Sequence, residues 1–153
     1  MKFEEALRLA GVITEQNNEN FEAFWITPKG KKISAGTVNY DDGDYYHADL
    51  IENNLADFNF TQEQIDDIYD ESDYPQDDIV DQVIKNGSVR CRNWASRIDV
   101  EFGNRVGKKN AINYLLKMSK EKKAVNITEY TSNNIICKKE DSIKNAINYL
   151  VGK

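Results

Sequence analysis

The chain has 153 residues, 40% of them hydrophobic and 30% charged, with a mean hydropathy of -0.69. Its 6 Phe, 8 Tyr and 2 Trp can fill one ordinary core, and only two cysteines, Cys91 and Cys137, are present, which excludes a disulfide scaffold. No apolar stretch approaches the roughly 18 residues of a membrane span. The formal net charge of -6 conceals a split: residues 41 to 81 hold fifteen acids and no Lys or Arg, whereas residues 82 to 153 carry a net +9. Such a split predicts two surfaces of opposite potential wherever folding keeps the halves apart.

Phe3, Ala6, Leu7 and Ala10 share a helical face, which predicts a first helix over residues 2 to 10 that stops at Gly11. Residues 21 to 27 alternate, with Phe21, Ala23 and Trp25 on one face and Phe24 and Ile26 on the other, as a strand with two apolar faces does. Pro28, Lys29 and Gly30 then predict a turn, with Lys31 to Ala35 as the return strand of a hairpin. Asp44 is placed to cap a helix carrying Tyr46, Leu50, Ile51 and Leu55.

The acidic section reads as two helices. Thr61 and Gln64 form a capping-box pattern, Ile65, Ile68 and Tyr69 make an apolar stripe, and Asp66, Asp67, Asp70 and Glu71 fill the rest. Pro75 breaks the chain, Asp77 or Asp78 opens the next helix, and Asn86-Gly87 closes it.

The basic half looks duplicated. Lys109-Asn110-Ala111-Ile112-Asn113-Tyr114-Leu115 recurs 35 residues later as Lys144-Asn145-Ala146-Ile147-Asn148-Tyr149-Leu150. Two short strands are expected before each copy, Val89 to Asn93 with Arg97 to Phe102, and Val125 to Tyr130 with Ile135 to Cys137. Each unit is therefore strand, strand, helix, with Ile112 and Ile147 expected in equivalent buried sites. Residues 1 to 87 and 88 to 153 are possible sub-units of one domain. The expected fold is α+β: an antiparallel sheet of short hairpins with helices packed on it, the C-terminal half a tandem strand-strand-helix duplication.

Motifs for chemistry are sparse. His47 is the single histidine, and no G-x-S-x-G turn, P-loop or GxGxxG accompanies it. One histidine and two distant cysteines do not make a usual zinc site, and the acidic runs lack EF-hand spacing. Arg90 and Arg92 flank Cys91, a setting that would lower a thiol pKa, although an inert, partly buried cysteine is the commoner case. The expectation is a non-enzyme with no catalytic residue, cofactor or metal.

Two interaction surfaces compete. The first is the acidic face of Asp66, Asp67, Asp70, Glu71, Asp73, Asp77 and Asp78, suited to a basic protein partner and capable of imitating a nucleic acid. The second is a basic face for nucleic acid, with Arg90, Arg92, Arg97, Arg105, Lys108 and Lys109 for phosphates and Trp94 at a hairpin tip for base stacking. The net charge of -6 weighs against the second.

Phe24-Trp25-Ile26-Thr27-Pro28-Lys29-Gly30-Lys31, followed by His47 at a helix start, is similar to W-I-x-P-x-G-K segments of small accessory proteins encoded by phages and viruses. Asn86-Gly87-Ser88-Val89-Arg90-Cys91-Arg92 resembles a later segment of the same proteins. The likeness spans about residues 22 to 118, and the chain departs from it in the loop between Ala35 and His47 and in the second C-terminal copy. It implies a phage-type accessory protein with no known catalytic residues. If phage-encoded, such a protein is expected in the host cytoplasm, its acidic face binding a basic protein surface as anti-defence inhibitors that imitate nucleic acid do. The start, Met1-Lys2-Phe3-Glu4-Glu5, lacks a secretory pattern, in keeping with that compartment.

Overall fold

The computed structural model describes residues 20–39, 43–94, 97–119, 124–130, 134–136 and 142–152. The expected helix over residues 2 to 10 and Cys137 lie outside the described residues. Asn20–Ile26 (β1) and Lys32–Asn39 (β2) form the expected hairpin. Its turn is closed by Gly30 N donating to the Thr27 carbonyl at 2.8 Å, and Gly30 takes the positive φ of 85° that a side chain would resist. A bulge opposite Ala23 and Phe24 shifts the register. Before it, Lys32 and Ser34 share the face of Ile26 and Phe24; beyond it, Val38 joins Phe21 and Ala23 in a cluster on the opposite face.

Three helices follow: Gly43–Glu52 (α1), Gln62–Glu71 (α2) and Pro75–Lys85 (α3), with a 3-10 turn at Leu55–Phe58. The capping box at the start of α2 is complete, as Thr61 accepts from Gln64 N while Gln64 accepts from Thr61 N. Pro75 does not merely interrupt the helical section. It opens α3 at the first helical position, where its missing N–H costs nothing, and Asp77 and Asp78 fall in the first turn. At the far end Gly87, with a φ of 109°, lets Ser88 N reach back to the Val83 carbonyl at 3.0 Å.

Val89–Asn93 (β3), Arg97–Phe102 (β4), Arg105–Lys117 (α4), Ala124–Glu129 (β5), Asn134–Ile136 (β6) and Ser142–Val151 (α5) complete the order. Among the described residues one six-stranded sheet runs β2-β1-β3-β4-β5-β6. It is mixed, not purely antiparallel, because β4 pairs with β5 in parallel. The reason is α4: a helix between adjacent strands returns the chain to the starting end, so the second strand runs the same way as the first. β1 pairs with β3, so residues 1 to 87 and 88 to 153 contribute to the same sheet.

Helices cover both faces. On one, α4 and α5 bury Ala111, Leu115, Ala146 and Leu150 against Phe24, Cys91, Ile98, Val100, Val125 and Ile127. On the other, α1, α2 and α3 bury Ile51, Ile65, Ile79, Val80 and Val83 around Trp25 and Phe58. The two C-terminal helices bury matching positions, Ala111 with Ala146 and Leu115 with Leu150. Ile112 and Ile147 also match, but both are only partly buried at the edge of the cluster.

Candidate functional site

The layer made by α1, α2 and α3 keeps its apolar stripe inward, and that leaves its carboxylates outside. Asp66, Asp67, Asp70 and Glu71 occupy the outer side of α2, Asp73 the connecting turn, and Asp77 and Asp78 the first turn of α3; all seven are exposed. Several are oriented locally. Asp66 accepts from Gln62 Nε2 at 3.0 Å, and Asp78 accepts from the Ser72 hydroxyl, whose oxygen in turn accepts from Tyr74 N at 3.0 Å. Residues 41 to 84 contain no Lys or Arg. A cation does reach the neighbouring 3-10 turn, where Lys31 pairs with Asp57 at 3.3 Å.

Tyrosines are the part of this surface that sequence reasoning missed. Tyr45 and Tyr74 are 70% and 71% exposed, and Tyr46 and Tyr69 are also exposed. The spacing of Ile65, Ile68 and Tyr69 predicts Tyr69 in the apolar stripe of α2, but it sits at the stripe's exposed rim. Its hydroxyl donates to Glu52 at 3.1 Å, and burial, followed by the negative charge of Glu52, pushes its pKa up. That hydrogen bond, from α2 to the last residue of α1, puts side chains of the two helices in one patch. The available signal was the spacing of Tyr45, Tyr46, Tyr69 and Tyr74 among acids, read as surface and not as core.

The basic set is not brought together. Residues of a strand alternate between faces, so Arg90, Arg92, Asp99 and Glu101 lie opposite the face that α4 and α5 cover, whereas Arg105, Lys108 and Lys109 lie on α4. Arg90 is 6% exposed, with Nε and Nη2 both donating to Glu101 Oε2, the first at 2.7 Å. Glu101 Oε1 takes Arg92 Nη2 at 3.2 Å. Arg97 pairs with Asp99 at 3.0 Å. Trp94, 5% exposed, packs on Phe21 with ring centroids 4.9 Å apart and lies under the Arg97 guanidinium. Its apolar ring fills a core site instead of a stacking platform.

The same alternation decides Cys91. Arg90 and Arg92 point to the other face, and the buried thiol is pushed up by desolvation, with Lys32 opposing. His47 is equally enclosed: its Nδ1 accepts from Trp25 Nε1 at 3.1 Å. Among the described residues no three His, Cys, Asp or Glu side chains converge to hold a metal ion, and no helix is long and apolar enough to cross a membrane. Compared with protein-family models, with curated proteins and with solved structures, the chain matches none.

Proposed function

We propose that this protein is a non-enzymatic interaction module that binds a basic protein surface through the acidic, tyrosine-bearing layer of α1, α2 and α3. The observation that carries the reading is the coincidence, on one layer, of nine exposed carboxylates among the described residues, Asp49 and Glu63 joining the seven above, with four exposed tyrosines and no Lys or Arg over residues 41 to 84. Carboxylates attract Arg and Lys at long range, and tyrosine rings receive the same cations by cation–π contact while contributing rigid apolar area. A run of surface carboxylates also imitates the charge of a nucleic-acid backbone, which suits an anti-defence inhibitor acting in a host cytoplasm, as the resemblance to phage-encoded accessory proteins implies.

The nucleic-acid reading has weaker support. Arg90, Arg92 and Arg97 already face Glu101 and Asp99, and Trp94 is enclosed, so phosphates and bases would have to displace existing partners. We also infer that β3-β4-α4 and β5-β6-α5 arose by duplication, supported by the seven identical residues and the matching burial of Ala111 with Ala146 and Leu115 with Leu150.

The test is capture from nuclease-treated host lysate on immobilised protein, with the Asp66→Asn, Asp70→Asn, Tyr74→Ala variant beside it. A basic protein retained by the wild type, released by salt and lost from the variant supports the reading. Equal retention by both removes the acidic layer from the mechanism. A gel shift of DNA or RNA that vanishes in Arg90→Ala, Arg92→Ala, Arg97→Ala would favour the basic strand instead.

A further inference from the structure

Helices α4 and α5 cover only part of their sheet face. α4 packs over β3 and β4, while the hairpin strand β2 lies beyond β1, so among the described residues no helix packs directly over Lys32 and Ser34 on that face. A groove of about 650 Å³ remains between the β1-β2 hairpin and α4. Pockets for small molecules span roughly 300–1,000 Å³. The groove is held open by the fold itself. The buried Asn110 amide donates to the Thr27 carbonyl at 2.7 Å and ties α4 to the hairpin turn.

Its lining combines three chemistries. Phe24 and Tyr114, ring centroids 5.1 Å apart and tilted, are both buried and give the groove an aromatic wall of small exposed area. Lys32 and Lys117 supply two ammonium groups, and the Lys32 Nζ lies 4.5 Å from the Phe24 ring centroid, so its charge is held at the aromatic wall. Among the described residues Glu22 is the single carboxylate of the lining, against two ammonium groups, in a chain of net charge -6. Asn113 adds an exposed amide, donor and acceptor at once, beside the aromatic wall. An aromatic surface favours a flat ring, the ammonium groups favour an anion, and an amide matches the polar edge of a heterocycle.

We propose that this groove binds a small molecule joining a flat heterocycle to an anionic group, of the nucleoside monophosphate class, with the ring in the apolar part of the groove between Phe24, Tyr114 and Met118 and the anion taken by Lys32 and Lys117. The site is separate from the acidic layer and does not depend on it.

The experiment is a titration of the full chain with the four common nucleoside monophosphates, with adenosine and with inorganic phosphate, followed by amide NMR. At least one monophosphate should shift the amides of Lys32, Asn113 and Lys117 saturably. Adenosine and phosphate, each carrying half of the chemistry, should bind at least about tenfold more weakly, the equivalent of one charge-assisted contact. Lys32→Ala and Lys117→Ala should each weaken binding several-fold, and Asn113→Trp, which fills the groove without changing charge, should abolish it. All three positions are exposed, and the spectrum itself reports that the variants fold. No shifts with any monophosphate, shifts confined to other residues, phosphate binding as tightly as the monophosphates, or unaltered affinity in Asn113→Trp would each overturn the proposal.

Discussion

The indole Nε1 of Trp25 donates to Nδ1 of His47 across 3.1 Å, in the core between the sheet and α1. Phe58 stands edge-on to the same indole at 5.6 Å, and the Arg90 guanidinium lies 5.8 Å from its ring centroid. One side chain thus joins β1 to α1, to the 3-10 turn and to the charged row of β3. Trp25→Phe keeps an aromatic ring but removes the donor. The lost hydrogen bond should cost about 1–3 kcal/mol, with the missing ring volume adding to it. Equilibrium urea unfolding reads the loss, and an unchanged midpoint would show that the indole bond carries no stability.

Arg90 and Glu101 form a largely enclosed ion pair, with side chains 7% and 21% exposed. Glu101→Ala leaves the Arg90 charge in the sheet without that carboxylate and also removes the contact to Arg92. Breaking a buried pair from one side typically costs about 3–5 kcal/mol, and Glu101 retains some water contact, so the lower end is expected. A double-mutant cycle with Arg90→Ala separates the coupling from the cost of desolvation. Additive effects would mean the pair does not interact.

Asp99 gives the pH dependence. Burial pushes its carboxyl above the usual aspartate range, although Arg97 and Arg92 pull the other way. A raised folded pKa means the native state holds its proton longer than the unfolded chain does. The contribution of Asp99 is therefore fully present below the unfolded value of about 3.9 and is lost as pH rises through the folded pKa. The stability of wild type minus that of Asp99→Asn should fall with rising pH from about 4 upward. A difference that rises over that range would mean the arginines dominate instead.

Gly103 closes on α3. A Cβ there would stand 2.7 Å from the Ile84 carbonyl oxygen, a backbone atom that cannot swing away. Gly103→Ala should destabilise by about 1–3 kcal/mol, as overpacking does. By contrast Gly30→Ala meets no atom within 4 Å, and its cost comes only from the φ of +85°, about 1–2 kcal/mol. Thermal unfolding of the two variants compares a steric clash with backbone strain.

Charge removal on the acidic layer should leave the fold alone. Asp66→Asn with Asp70→Asn changes two exposed side chains, and each should move stability by no more than about 0.5 kcal/mol. Binding of a basic partner should weaken while the urea midpoint stays in place. A large loss of stability would instead make these carboxylates structural.

Local patterns in the sequence determined the elements of this protein. The capping box of Thr61 and Gln64, the Asn86-Gly87 stop, the Gly30 turn and the alternation of β1 are all contacts within a few residues, so the chain states them directly. Charge distribution is equally local, and the acidic layer was legible because a helix with one apolar stripe must turn its remaining carboxylates outward. Tertiary structure decided everything that depends on partners far along the chain. The parallel pairing of β4 with β5 follows because α4, packed on Phe24, Cys91 and Val100, carries the chain back to the end at which β4 began. Whether Arg90 offers a free charge depends on Glu101 opposite it on the neighbouring strand β4, and whether Trp94 is a platform depends on Phe21 on the neighbouring strand β1, some seventy residues earlier in the chain. The groove beside Lys32 lies between α4 and a hairpin strand that joins the sheet beyond β1, a juxtaposition that no run of residues encodes.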